Sequence, residues 1–444
     1  MISKSSRMFY GWRVVAGAFA LAVFGWGMGF YGPPVWLGVV HATRGWPIAL
    51  ISTAVTLHFL IGAGLGALVP QLYRRFGAAR VTMAGSFCMG CGVVGWALSA
   101  APWQLFVAAT LTGLGWGTMS AAAINALVSP WFVRTRPAAL GMAYNGGSIG
   151  GVIFSPLWVA AIGLAGFAWS TATIGAVMLL TVWLLASLLF SRTPAQMGLQ
   201  ADGDTLAVSS MRGRARKIAS LPGAQLWHDR KFLTLAAGMA FGLFAQIGLV
   251  AHLFTLLTPA LGAQYAGFAL GLVTALAIIG RSAMGWLMPA NADRRLIACA
   301  GYVLQCAGSI ALLIGERSDA VLQTAMGGTS VPLLLLGIVL FGCGFGNATS
   351  LPPLIAQLEF AEEDVPRAVS LIVATGQAAY AFAPATFGLI RDYAPTMGLT
   401  SSGAVGVFVF AATVQALAVV AFYAGRSERR PREAYRVGTG LSPR

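Results

Sequence analysis

Val331-Pro332-Leu333-Leu334-Leu335-Leu336-Gly337-Ile338-Val339-Leu340 is apolar on every side, with no polar face at the period of either a strand or a helix. The run from Leu233 to Leu243 reads the same way. A transmembrane β-strand would alternate apolar and polar residues over a short segment, so these runs argue against a barrel. Hydrocarbon cannot satisfy a stray backbone N–H or C=O, whereas a helix satisfies them within itself. Crossing about 30 Å of hydrocarbon takes about 20 residues of helix, and apolar stretches of that length recur along the whole chain.

Composition agrees with the pattern. Of 444 residues, 57% are hydrophobic and 9% are charged. A soluble domain carries roughly a quarter charged residues, so the charges present cannot cover a soluble surface of this size. The first apolar stretch, Arg13 to Val40, is too long for a signal-peptide core and reads as the first span. Apolar runs set against turn and charge signals place spans near 13–40, 47–70, 81–101, 103–128, 139–163 and 166–190. Six more follow near 232–259, 263–289, 296–314, 331–357, 367–391 and 399–424. The fold expected is an all-α membrane protein of twelve transmembrane helices in two six-helix bundles, residues 1–190 and 232–425. A polar linker, Ser191 to Lys231, joins them, and a basic tail, 426–444, follows.

The net charge of +15 is read from its positions. Arg44, Arg317 and Arg391 fall in outer segments and Arg281 falls within a span; all other Lys and Arg lie in the termini or alternate loops. By the positive-inside rule both termini and the linker are expected on the cytoplasmic side of a bacterial inner membrane. Arg212, Arg214, Arg216 and Lys217, and Arg429, Arg430 and Arg432, suit anionic lipid head groups and lack the interleaved aromatics of a nucleic-acid face. Cys88, Cys91, Cys299, Cys306 and Cys343 lie in apolar stretches as packing residues; Cys88 and Cys91 form a C-x-x-C with no second pair or nearby His to complete a metal site.

The halves echo each other, as in transporters built from repeats. Arg74-Arg75-Phe76-Gly77-Ala78-Ala79-Arg80 follows the second span and Asn291-Ala292-Asp293-Arg294-Arg295 the eighth. Arg136-Pro137-Ala138 follows the fourth and Pro366-Arg367-Ala368 the tenth. With Tyr10-Gly11-Trp12 opening the first span, Gly45-Trp46 before the second and Gly146-Gly147-Ser148-Ile149-Gly150-Gly151 with Pro156 in the fifth, the chain resembles the major facilitator superfamily. Within it, the resemblance is to the branch holding monocarboxylate transporters and oxalate/formate antiporters. Thr193-Pro194, Met197-Gly198-Leu199, Asp202-Gly203, Ala251-His252-Leu253 and Gly280-Arg281 with Gly285 carry it further, in an order that spans the chain. Two departures stand out. The stretch Pro70-Gln71-Leu72-Tyr73-Arg74 lacks the acidic residue usual before the first basic one, and the Lys of the first span and Asp of the eighth found in proton-coupled monocarboxylate carriers are absent.

A charge within the bilayer is costly unless it faces a watered cavity, which makes Arg281 the leading site candidate. No Asp or Glu lies within a span away from its ends, so a substrate carboxylate is the simplest counter-charge; backbone carbonyls or a buried amide are the alternative partners. His58 and His252 are the intramembrane groups that titrate near neutral pH, open to a proton-coupling or a packing role. Asp392, beside Arg391 at the outer end of the eleventh span, is read as a local ion pair or gate. Tyr31, Asn145, Asn347, Gln377 and Tyr380 are candidates for the cavity wall, Gln377 and Tyr380 sharing a helix face; helix-to-helix bonds and packing are the competing uses.

No nucleotide loop, metal cluster or catalytic triad is present in the sequence, so no cofactor and no enzymatic activity are expected. The reading is a secondary active transporter of a small organic anion, a carboxylate by the resemblance, working as a monomer by alternating access. The rival is an efflux carrier for amphipathic drugs or metabolites such as siderophores.

Overall fold

A computed structural model of the chain describes residues 9–203, 221, 223–287, 292–322, 330–361, 363–400 and 402–426. The basic clusters of the linker (Arg212, Arg214, Arg216, Lys217) and of the tail (Arg429, Arg430, Arg432) lie outside the described residues. The first half holds α1 (Tyr10–Gly29), α2 (Gly32–Arg44), α3 (Ile48–Phe76), α4 (Ala78–Leu98), α5 (Pro102–Met119), α6 (Ala121–Val128), α7 (Arg136–Ala165) and α8 (Phe167–Leu185). The second holds α9 (Arg230–Leu261), α10 (Ala263–Leu287), α11 (Arg294–Leu322), α12 (Ser330–Phe345), α13 (Leu351–Glu359), α14 (Val365–Ala381), α15 (Ala383–Tyr393) and α16 (Gly403–Ala424). Four pairs, α1/α2, α5/α6, α12/α13 and α14/α15, are single spans interrupted on the way across, so the helices make twelve spans in two bundles of six. No strand occurs among the described residues.

The interruptions follow from covalent structure. Pro33 and Pro34 open α2, Pro352 and Pro353 open α13, and Pro384 opens α15. A proline has no N–H to give and its ring clashes with the preceding turn, so it starts a helix more readily than it continues one. The fourth span breaks without proline, at Ser120, whose backbone is extended.

Within each half, glycines set the packing. Carbonyl oxygens of Phe19 and Val23 on α1 would lie 2.1 and 2.4 Å from a Cβ at Gly146 and Gly150 of α7. Between α10 and α12, the Cys343 oxygen would lie 2.3 Å from a Cβ at Gly280, and the Ala277 oxygen 2.0 Å from one at Gly346. Small residues that let backbones touch are how membrane helices associate when lipid tails are as apolar as the side chains.

The halves meet through α7 with α10, α3 with α15, α2 with α9 and α3 with α14. These contacts lie toward the end away from the linker. Gly38 of α2 abuts Phe254 and Thr255 of α9, Gly388 of α15 abuts Ser52 of α3, and Gly267 of α10 abuts Val159 of α7. Among the described residues no comparably extensive contact joins the halves at the linker end, so the molecule is shut on the far side and parts toward the linker side.

Polar ties hold the linker-side rim. Asp202 accepts from the backbone N–H of Val133 (3.0 Å), Arg134 (2.7 Å) and Thr135 (3.3 Å) and from the Thr135 hydroxyl (2.8 Å). Burial opposes its charge, but those donors outweigh it and hold the carboxyl at about 2. At the linker's other end, Leu221 N–H donates to Asp364 (2.7 Å). Arg295, 2% exposed, makes a two-pronged pair with Glu359 (2.7 and 2.8 Å). Asp293 caps the start of α11 through the Arg295 N–H (3.0 Å) and pairs with Arg426 (2.8 Å).

The α1–α7 contact sets the first test. Gly150→Val pushes a branched side chain into the Val23 carbonyl, and overpacking of this kind costs about 1–3 kcal/mol or more. Gly141→Ala on the same helix meets nothing within 4 Å. In detergent melts the valine variant is expected several degrees below wild type and the alanine variant level with it.

Candidate functional site

Arg281 projects from α10 toward α7, where its Nη2 donates to the Ser148 hydroxyl at 3.1 Å. The bond crosses from one half to the other. Gly346, just past the end of α12, sits against the Ala277 carbonyl and the Arg281 Cβ, which fixes the root of the arginine. Among the described residues no carboxylate acts on the guanidinium, and the titratable side chain nearest in effect is Tyr31. Tyr31 occupies the unwound turn between α1 and α2 and is 4% exposed. Its ring fills the space where a side chain at Gly151 would sit, next to the Thr274 methyl. The absence of a side chain at Gly151 thus lets Tyr31 reach the α7–α10 seam beside Arg281.

From Tyr31 a chain of rings runs across the interface. Phe30 stands edge-on to Tyr31 (4.9 Å between centroids), Phe59 is 6.1 Å from Phe30, and Tyr380 of α14 is edge-on to Phe59 at 5.7 Å. Trp116 joins the same cluster through Phe30 at 6.4 Å and Phe59 at 6.3 Å, with Trp26 against it at 5.1 Å. Arg281, Tyr31 and, through the rings, Tyr380 are therefore brought together at the meeting of the halves. Gln377 lies one turn toward the linker from Tyr380 and is half-buried. Asn145 lies one turn toward the linker from Ser148 and is exposed. Asn347 is not brought to Arg281: it sits buried in the α12–α13 break, lining a cavity of about 10 Å³ with Tyr302 and Gln305 inside the second half. That is room for one water molecule.

Both histidines are fully buried against interrupted helices. His58 donates from Nε2 to the Gly29 carbonyl (2.8 Å) at the end of α1, while its Nδ1 meets the Thr112 hydroxyl (3.0 Å). The Gly29 carbonyl is an acceptor only, so Nε2 carries a proton and a neutral ring leaves Nδ1 to accept. His252 bonds through Nε2 to the Pro384 carbonyl (3.1 Å), and its Nδ1 has no partner. Gln246 and Gln305 do the same for the tenth span, donating to the carbonyls of Phe345 (3.0 Å) and Gly344 (2.9 Å).

At the far end, the Asp392 carboxylate accepts from the Ala49 N–H of α3 at 2.7 Å. Arg391 donates to the Thr255 hydroxyl and lines, with His41, Glu316 and Asp392, a pocket of about 300 Å³ on that face. Sequence reading offered a local ion pair or a gate for Asp392; the bond to Ala49 joins the two halves. Ser148, Thr274 and Thr56 were missed, because a Ser or Thr in an apolar run leaves no trace in hydropathy.

The family model described as Major Facilitator Superfamily matches residues 17–384. MFS transporter asaE of Aspergillus flavus is 23% identical over 361 residues, covering 78% of this chain and 72% of that one. MFS-type transporter 1 of an Ophiocordyceps species is 30% identical over 190 residues; the match spans 42% of each chain, less than half that relative's length. Among solved structures, the nucleoside transporter NupG superposes with a TM-score of 0.69 at 12% identity, over 94% of this chain and 99% of that one.

The His58 bonds generate a stability test. His58→Leu keeps bulk but strands the Gly29 carbonyl, and an unsatisfied buried acceptor costs about 1–3 kcal/mol. A lowered melting temperature is expected for leucine, with partial recovery in His58→Gln, which retains a donor.

Proposed function

This chain belongs to the Major Facilitator Superfamily, and on that premise we propose that it carries a small organic anion, a carboxylate, with Arg281 as the binding cation. The observation that carries the reading is the state of Arg281: a guanidinium at the seam between the halves, bonded to a neutral hydroxyl, with no carboxylate acting on it among the described residues. A charge held at membrane depth without a counter-ion is costly, and an arriving carboxylate relieves that cost with two parallel N–H···O bonds. Tyr31 supplies a hydroxyl beside it, with Asn145, Gln377 and Tyr380 along the approach from the linker side. Asn347 lies in the break of the tenth span, beside Tyr302 and Gln305.

Residues 1–190 and 232–425 act as the two rocking bundles, with 191–231 as linker and 426–444 as a basic tail. The protein works as a monomer in a bacterial inner membrane, its termini and linker on the cytoplasmic side, where their basic residues meet anionic lipid. Alternating access is then rocking of the bundles about the midplane seam. The aromatic cluster of Trp26, Phe30, Phe59 and Trp116 favours the second reading, efflux of amphipathic drugs or metabolites such as siderophores. Uptake of labelled lactate, pyruvate or oxalate into proteoliposomes, beside a drug-resistance assay, separates the two.

Two outcomes follow. Arg281→Lys keeps the charge but loses the planar fork and is expected to weaken anion binding about tenfold, about 1.4 kcal/mol. Arg281→Gln is expected to abolish uptake while the protein stays folded, read by anion-induced thermal shift and by flux; normal anion transport in a folded glutamine variant would sink the assignment.

If transport is proton-coupled, the proton resides on His252, whose Nδ1 is unpartnered, or on His58. Substituting both by Gln is expected to remove accumulation driven by an imposed pH gradient and to leave exchange of labelled for unlabelled anion in place. Full pH-driven accumulation in the double variant would exclude both.

A further inference from the structure

The far-side closure rests on two helix N-termini that lack caps of their own. Pro47 stands at the N-cap of α3 and Phe382 at the N-cap of α15, and neither gives a side-chain cap bond. The first amide donors of a helix have no partner within it, and a side-chain oxygen at the N-cap ordinarily takes the N–H two or three residues on. Here each helix caps the other. Asp392, near the end of α15, accepts from Ala49, the second residue of α3, at 2.7 Å. Thr56, two turns into α3, accepts through Oγ1 from Ala385, the third residue of α15, at 3.0 Å. The α3 residues are seven apart, about 10 Å along the axis. Between the two bonds Gly388 lies against Ser52, whose oxygen would be 2.6 Å from a Cβ added at that glycine.

We propose that Thr56 and Asp392 are the far-side gate: reciprocal caps that exist only while the two halves are shut, and so hold the empty carrier open toward the linker. α3 belongs to the first bundle and α15 to the second, so parting the far mouth breaks both bonds in one movement. Asp392 contributes its charge as well, a carboxylate facing the positive end of the α3 dipole. Ser52 and Gly388 supply only closeness of approach. Thr56 and Asp392 are positioning residues, since they act on the equilibrium between the two open states and not on the cargo. The assignment is independent of what is carried.

The test uses the full chain, free of native cysteines, in lipid nanodiscs, where both faces meet reagent and membrane orientation does not enter. Ser52→Cys, between the two caps, reports opening through its rate of reaction with a polar maleimide. Thr56→Val and Asp392→Asn preserve shape and weaken one cap each; combined, they are expected to speed labelling about tenfold, about 1.4 kcal/mol of bias. Thr56→Ser, which retains the hydroxyl, is expected to label like wild type. A second reporter, Ser309→Cys, fully buried inside the second half, is expected to be unaffected. Unchanged rates at Ser52→Cys in the double variant would overturn the gate, as would Thr56→Ser and Thr56→Val behaving alike. Equal acceleration at both reporters would mark general loosening and overturn it too.

Discussion

Hydrocarbon offers no partner to a backbone amide or carbonyl, and this constraint organises the polar residues of the protein. The interrupted spans create orphan groups at membrane depth, and other spans supply what is missing. His58 and the Trp158 indole take the carbonyls of Gly29 (2.8 Å) and Gly27 (3.1 Å) at the end of α1. Gln246 and Gln305 take those of Phe345 and Gly344 at the end of α12, while His252 bonds to the Pro384 carbonyl in the first turn of α15, where the helix already offers that oxygen a partner. The Tyr144 hydroxyl likewise adds a bond, at 3.2 Å, to the Ala121 carbonyl in the first turn of α6. Among the polar side chains that look like a dispersed binding set along the sequence, His58 is a support for broken backbone.

That division explains what could be read without coordinates. Span existence was legible because apolar length is a property of one segment. The breaks at Pro33-Pro34, Pro352-Pro353 and Pro384 were not read, since each lies inside a stretch whose apolar length suggests one continuous span. Nor was partnership between spans, since it depends on which helices touch and in what rotation. His58 could be read as proton carrier or packing residue, but only the fold puts the Gly29 carbonyl at its Nε2. Asn347 shows the same limit from the other side: an amide in a glycine-rich span suggests a cavity wall, yet Gly346 faces α10 while Asn347 turns toward Tyr302 and Gln305.

Backbones approach each other more closely within the halves than between them. Glycines bring α1 onto α7 and α10 onto α12 at backbone contact, where any added side chain would clash. Buried charge pairing reinforces the second half at its linker-side rim, where Arg295 combines Glu359 with the Lys231 carbonyl (2.8 Å) and the Thr234 hydroxyl (3.1 Å). Among the described residues the polar ties between the halves include a hydroxyl at Arg281, a carboxylate at Ala49 and a hydroxyl at Ala385. A molecule built this way is stiff inside each bundle and separable along one seam, as rocking requires.

Arg281 stands out against this background because the rule that explains the other polar groups does not explain it. It supports no broken helix, it has no acidic partner among the described residues, and Ser148 answers one of its five N–H groups with a neutral oxygen. Structural arginines in the same chain are treated differently: Arg295 has a carboxylate and backbone oxygens, and Arg230 donates to the Ala424 carbonyl at 2.7 Å. Among the described residues the guanidinium therefore keeps unused donors at the seam between the halves. On the proposed reading, a ligand that brings negative charge and planar acceptors is the chemistry that would complete it.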